Sequence, residues 1–243
     1  MIQPPAKEIK TVAKDAIREL RAFTNPERQQ ATLNYFPSAM ENLGVAVPDI
    51  RKVARALHKQ TMEWTNEALF ALSMAIIAQK TLEGRQLAYE LYGLRPALRA
   101  SLTKTKVEEL GHGMDNWTSV DVFSTTIAGQ LWREGVLKDA DLLRWSRSKE
   151  RWWRRASLAS TIPLNMPSRG GSGDTPRTLK LCAALCADKD EMVAKGLSWA
   201  LRALIATDST AVEDFLSEHE EVLPGRVKRE VRNKLGTGRK SGK

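Results

Sequence analysis

Asp190-Glu191-Met192-Val193-Ala194-Lys195-Gly196-Leu197-Ser198-Trp199-Ala200-Leu201-Arg202-Ala203-Leu204-Ile205-Ala206 reads as one amphipathic helix. Its apolar residues recur at helical spacing and its polar residues fall between them. Lys195, Trp199 and Arg202 share one face, three and four residues apart. The same pattern extends through nearly the whole chain. Ala, Leu, Glu, Lys and Arg dominate, and β-branched alternation is scarce. Lys7 to Phe23 reads as a first helix. Asn25-Pro26 starts a second, reaching Phe36, and Pro48 sits in the first turn of a third. Thr65-Asn66-Glu67 opens another through Gln79. Further helices are expected over 82–93, 95–110, 117–134, 139–147, 150–161, 175–187, 190–206, 208–219 and 224–235.

Short helices joined by short connections predict an all-α protein, a superhelical α-solenoid of HEAT-like helix pairs. No exact sequence repeat supports this, and a compact irregular all-α domain is the alternative. Residues 1–235 read as one domain, and 236–243 as a basic disordered tail. Met166 to Pro176 is rich in Gly, Pro and Ser and must be a loop. It reads as a flexible connector, or as a mobile arm that brings Arg169 to a nucleic-acid backbone.

Hydrophobic residues make up 42% of the 243, enough for a substantial core. No run is long enough to span a membrane, and the N-terminus lacks a signal-peptide core. Cys182 and Cys186 read as small apolar residues rather than a disulfide, which points to a reducing, cytoplasmic compartment. The formal charge is +9, of which the tail supplies Arg239, Lys240 and Lys243. From 144 to 155, Arg144, Arg147, Lys149, Arg151, Arg154 and Arg155 face only Glu150. Trp145, Trp152 and Trp153 interleave with these cations, which suggests a polyanion-binding face; a solvated helix face is the alternative.

His58, His112 and His219 are scattered, and no Cys/His cluster has metal-ligand spacing. Gly170-Gly171-Ser172-Gly173 lacks the lysine of a phosphate-binding loop. Neither a metal nor a cofactor is expected. What carries chemistry is a set of aromatic–charge pairs. Trp117 and Asp121 lie one turn apart on a helix that Asp115 or Asn116 can cap. Trp152 with Arg155, and Lys195 with Trp199 and Arg202, form two more such groups. Each alone reads more readily as a half-buried tryptophan beside a snorkelling neighbour; the three together point to a shared surface.

The segments Asn116-Trp117-Thr118-Ser119-Val120-Asp121, Trp152-Trp153-Arg154-Arg155-Ala156 and Val193 to Arg202 resemble the DNA alkylation repair family of the AlkD type. Tyr35, Leu43-Gly44-Val45 and Pro48-Asp49-Ile50-Arg51 follow in the family's order, so the resemblance covers roughly residues 20 to 235. It implies a HEAT-like-repeat DNA glycosylase that removes N3- and N7-alkylpurines from duplex DNA without flipping the base. Asp121 then matches the catalytic carboxylate, and Trp117 and Trp199 the aromatics flanking the lesion's deoxyribose. Arg155 matches the arginine beside them, with Arg154 as a substitute. Tyr35 matches an N-terminal tyrosine near the DNA backbone and Arg202 a backbone-contacting cation; Arg51 and Lys195 are further DNA-binding candidates. The partner is double-stranded DNA, bound by a monomer. Two features depart from the family's pattern: the 166–176 loop is long, and Pro163 stands where some members carry a basic residue.

Such a reaction suits one carboxylate. Hydrolysis of a glycosidic bond passes through an oxocarbenium-like sugar, and O-glycosidases use two carboxyl groups, one of them to protonate the leaving group. An alkylated purine already carries positive charge and leaves neutral, so the acid is unnecessary. A non-catalytic DNA-binding relative and a HEAT-like scaffold for acidic proteins are the competing readings.

Overall fold

The computed structural model describes residues 1–35 and 37–241, with only the backbone of 33–35. Apart from two isolated bridges, Ile2 to Trp64 and Glu41 to Thr81, the described residues form helices, turns and loops. None of these helices is long and apolar enough to cross a membrane. The chain divides into two compact units, Met1–Ile127 and Ala128–Lys243. Within each, helices pack as neighbouring pairs in the HEAT-like manner.

The first unit holds α1 (Ala6–Arg21), α2 (Pro26–Tyr35), α3 (Val47–Gln60), α4 (Asn66–Ile77), α5 (Leu82–Leu94), α6 (Pro96–Ala100), α7 (Lys104–Gly111) and α8 (Trp117–Phe123). α1 packs on α4, and α5 packs on α3, α4 and α8. α5 is therefore buried on nearly every side, including Arg85, Leu87, Tyr89, Leu91 and Tyr92. A buried helix needs its polar groups paired. Arg85 donates from Nη1 to the Tyr89 hydroxyl (3.0 Å) and from Nη2 to the His112 carbonyl (3.0 Å). The Tyr89 hydroxyl donates to the Leu110 carbonyl at 2.8 Å. The end of α7 is thus fixed from inside the core.

The second unit holds α9 (Gly129–Arg133), α10 (Asp139–Ser146), α11 (Arg151–Ala159), α12 (Ile162–Asn165), α13 (Thr175–Ala184), α14 (Glu191–Leu204), α15 (Ser209–Glu218) and α16 (Gly225–Thr237). α14 is its hub, packed against α11, α13 and α16. Val193, Leu197, Leu201 and Leu204 form its buried stripe, at the spacing the sequence shows.

Three expectations change. The helix expected over 95–110 is two, because the chain breaks at Ser101–Thr103, where buried Leu102 is inserted and the Thr103 hydroxyl restarts the next helix. The helix expected over 117–134 contains a π-helical turn, Ser124–Ala128. There the Thr125 hydroxyl donates to the Asp121 carbonyl at 2.8 Å, a local bond that competes with regular helix geometry. α16 runs through Gly236 to Thr237, into the stretch expected to be a disordered tail; of that stretch, Gly242 and Lys243 lie outside the described residues.

The 166–176 loop is tied down rather than free. Asn165 is fully buried and donates from Nδ2 to the Thr178 hydroxyl (2.8 Å) and the Thr161 carbonyl (3.1 Å). Its Oδ1 accepts the Asp174 N–H at 2.9 Å. The Arg169 carbonyl accepts from Gln130 Nε2 (3.0 Å) and Arg133 Nη1 (2.9 Å). A Cβ at Gly171 would collide with the Leu164 carbonyl, so glycine permits that close approach.

Asn165→Ala removes the partner of the buried Thr178 hydroxyl and of the half-buried Asp174 N–H. It is expected to cost about 1–3 kcal/mol of stability, read from the urea midpoint, and to speed proteolysis within 166–176. An unchanged midpoint refutes this role.

Candidate functional site

In the first unit the candidate chemistry sits on α8. Asn116, fully buried, is its N-cap: Oδ1 accepts the Ser119 N–H at 2.9 Å. Its Nδ2 donates to Asp115 Oδ1 at 2.9 Å. Asp115 in turn accepts the Ser38 hydroxyl (2.8 Å) and the Ala39 N–H (2.6 Å), tying the segment after α2 to the start of α8. The two candidate caps therefore divide the work: Asn116 caps, and Asp115 anchors. Trp117 follows as the first helical residue and Asp121 lies one turn on, both half-buried. The π-helical turn begins three residues after Asp121; such turns recur at functional sites. Arg51 is exposed on α3, its Nε 3.2 Å from Glu90 Oε1. An exposed pair of this kind contributes little to stability and leaves the cation accessible. The Tyr35 side chain lies outside the described residues.

The other candidates belong to the second unit, on the packed helices α11 and α14. Arg155 is buried, and its Nη1 donates to the Met192 carbonyl in the first turn of α14 at 2.6 Å. Arg154 is half-buried, with Nε 2.7 Å from Asp188 Oδ2 and Nη1 donating to the Ser148 and Lys149 carbonyls, each at 3.0 Å. Both arginines thus stitch neighbouring elements together. Lys195 and Trp199 share the outer face of α14 and are half-buried; Lys195 Nζ lies 3.0 Å from Glu191 Oε1.

Arg202 is held by a chain of polar contacts. Its Nε donates to the Ser198 hydroxyl at 3.1 Å, and that hydroxyl donates to Glu230 Oε2 at 2.6 Å. Glu230 is buried on α16 and also accepts from Arg226 Nη1 at 3.1 Å. Burial pulls the Arg202 guanidinium below its ordinary value, and Glu230 opposes that pull. For Glu230, burial raises the carboxyl, but the Ser198 hydroxyl and the charges of Lys240, Arg226 and Arg202 outweigh it and leave it lowered. Sequence reasoning missed Glu230. Ser198, one turn before Arg202, gave the only local signal.

The basic window of 144–155 needs correcting. Trp145 is buried and packs on half-buried Trp153, ring centroids 4.8 Å apart, so the Trp145 indole is core rather than interface. Trp152 is half-buried under Arg151, whose guanidinium carbon lies 5.3 Å from its ring centroid. Asp188 and Asp190, distant in sequence, pair with Arg154 and Arg151. Arg144, Arg147 and Lys149 are exposed. Cys182 and Cys186 are free thiols, the first buried. Among the described residues, no three His, Cys, Asp or Glu side chains are grouped to hold a metal ion.

A family described as "DNA alkylation repair enzyme" matches residues 16–235. No curated protein matches the chain. Among solved structures, one described as a "Predicted DNA alkylation repair enzyme from Enterococcus faecalis" is similar, with a TM-score of 0.72 and 18% identity. The similarity covers 88% of this chain and 97% of that one, and at such identity it speaks for the fold.

The Glu230 carboxyl, lowered in the folded protein from 4.5, stabilises the fold above that value, and this contribution is lost as pH falls through the folded value. Glu230→Gln should therefore lower stability at neutral pH and flatten its decline below pH 4.5, measured by thermal unfolding across pH. Superimposable acid limbs for variant and wild type contradict the assignment.

Proposed function

We propose a reaction from one premise: this chain belongs to the DNA alkylation repair enzyme family. The proposed activity is a monofunctional DNA glycosylase that hydrolyses the N-glycosidic bond of N3-alkyladenine and N7-alkylguanine in duplex DNA. The observation that carries this reading is the Trp117–Asp121 pair, a carboxylate and an indole one turn apart on α8. In a chain of net charge +9, an acid in that company suits a cation that forms beside phosphates.

As the bond breaks, positive charge develops on the deoxyribose while the base leaves neutral. Asp121 stabilises that charge and orients the attacking water. The indole face of Trp117 adds a cation–π contact of about 1 kcal/mol. Because the leaving group needs no proton, no second carboxylate is required, and the lesion can react without entering a pocket. Cationic lesions are therefore the substrates.

Within this reading, Arg51, Lys195 and Arg202 hold phosphates and set register. Lys195 has a surface carboxylate beside it, Glu191, that a phosphate can displace, whereas Arg51 is the exposed member of a pair with the largely buried Glu90. Arg155 and Arg154 also have a positioning role. Buried or half-buried and bonded to carbonyls, they position α11 against its neighbours. The enzyme acts as a cytoplasmic monomer.

Asp121→Asn should lower release of 3-methyladenine and 7-methylguanine from methylated duplex DNA by roughly 10²-fold or more, with duplex binding retained. Binding should weaken steeply with salt as counterions are released. Release at the wild-type rate removes Asp121 from the chemistry. No release even by the wild type, with DNA binding intact, makes the chain a non-catalytic relative.

A further inference from the structure

The first unit contains a cavity of about 480 Å³, bordered on one side by Trp117 of the proposed catalytic pair. This falls in the range of about 300–1,000 Å³ typical of small-molecule sites. Val45, Ile50 and Leu82 give it an apolar lining, Trp117 contributes an aromatic wall, and Arg28 stands exposed at its edge. Most of its polar side chains are already engaged. Both oxygens of buried Glu83 accept backbone N–H groups, from Leu43 at 2.9 Å and from Val45 at 3.1 Å. Asn42 accepts the Gly44 N–H and donates to the Gln29 carbonyl.

Gln86 is different. It is 5% exposed and lines the cavity, and its amide makes no hydrogen bond among the described residues. The Gln86 amide atoms are not sealed from solvent, so its donor and acceptor are open to the cavity and available to an occupant. Here the amide faces a space with an indole at its wall. An amide donor and acceptor beside an aromatic wall is how proteins read a nucleobase that has left the stack.

We propose that this cavity is a binding site for an unstacked adenine-type base, in which Trp117 stacks on the ring and Gln86 reads its edge. The amide of glutamine matches the N6 amino donor and N7 acceptor of adenine. N3-alkylation leaves both of those groups intact. N7-alkylation of guanine removes the N7 acceptor, and O6 can accept from the amide N–H but leaves the amide oxygen without a donor, so N7-alkylguanine binds poorly. The base arrives from one of two sources: the free alkyladenine released by the reaction, or an unpaired adenine in DNA. Choosing a nucleobase over another planar heterocycle rests on the DNA-directed reading above, whereas binding itself does not depend on Asp121.

The test has two arms. In the first, full-length protein is titrated with 3-methyladenine, adenine and 7-methylguanine by calorimetry and ligand-observed NMR. In the second, a duplex carrying 2-aminopurine opposite an abasic site reports stacking through its fluorescence; this analogue keeps N7 and a purine face. Wild type should bind 3-methyladenine and adenine more tightly than 7-methylguanine. Gln86→Met, close in shape and apolar, should weaken adenine binding by at least about tenfold. Gln86→Glu, which keeps an acceptor but loses the donor, should also weaken it, and matching thermal unfolding of the two variants guards against misfolding. Quenching in the second arm alone assigns the site to unpaired bases in DNA; binding in the first arm assigns it to the released base. No binding of any purine up to roughly 10 mM together with no quenching overturns the proposal, as does equal binding by wild type and both variants. If adenine binds as expected while Asp121→Asn still releases alkylpurines at the wild-type rate, the catalytic reading fails and the site stands.

Discussion

A buried guanidinium whose hydrogen-bond acceptors are neutral oxygens sets the position of the first unit's candidate site. Arg85 reaches from the core helix α5 to the carbonyls of Leu110 and His112, at 3.3 and 3.0 Å. Those carbonyls lie at the end of α7, where no further helical turn supplies a donor, and the Tyr89 hydroxyl also donates to that of Leu110. Once they are held, the next turn leads directly into Asp115 and Asn116, which anchor and cap α8. Trp117 and Asp121 inherit their place from that sequence of constraints. A short helix of seven residues has little stability of its own, so the precision of the pair comes from the core behind it.

The second unit uses charge in a comparable way. Its arginines are numerous, and several of them are structural. Arg155 closes on the start of α14, Arg154 gathers the carbonyls before α11, and Arg177 donates to Asp174 at its own helix start. What remains for a polyanion is smaller than the net charge suggests and sits on exposed side chains such as Arg147 and Lys149. Arg202 is intermediate: half-buried, it is oriented through Ser198 by a carboxylate that is itself buried. A cation held in this way loses less side-chain freedom on meeting a phosphate than a lysine on a mobile stem does.

Much of the fold is readable without coordinates. Most helices begin within two residues of the expected positions, because burial of one face leaves a 3.6-residue signature in each segment. The exceptions are local. Thr103 and Leu102 divide one expected helix, and the Thr125 hydroxyl accompanies a π-helical turn inside another, where the apolar periodicity continues across the break and so conceals it. The 166–176 segment reads as a connector from its Gly and Pro content, yet buried Asn165 binds it to the core through groups that composition does not reveal.

The sequence by itself determined the all-α class, the Trp117–Asp121 spacing and the membership that spans residues 16–235, since each depends on residues close together or on an ordered pattern. Tertiary structure decided which charges are available. Asp188 and Asp190 approach the basic run from more than thirty residues away, and Glu230 reaches Ser198 across 32. It also placed Gln86 against a cavity, its amide unpaired among the described residues. Pairing, burial and empty space arise between segments brought together only by folding, and no local spacing encodes them.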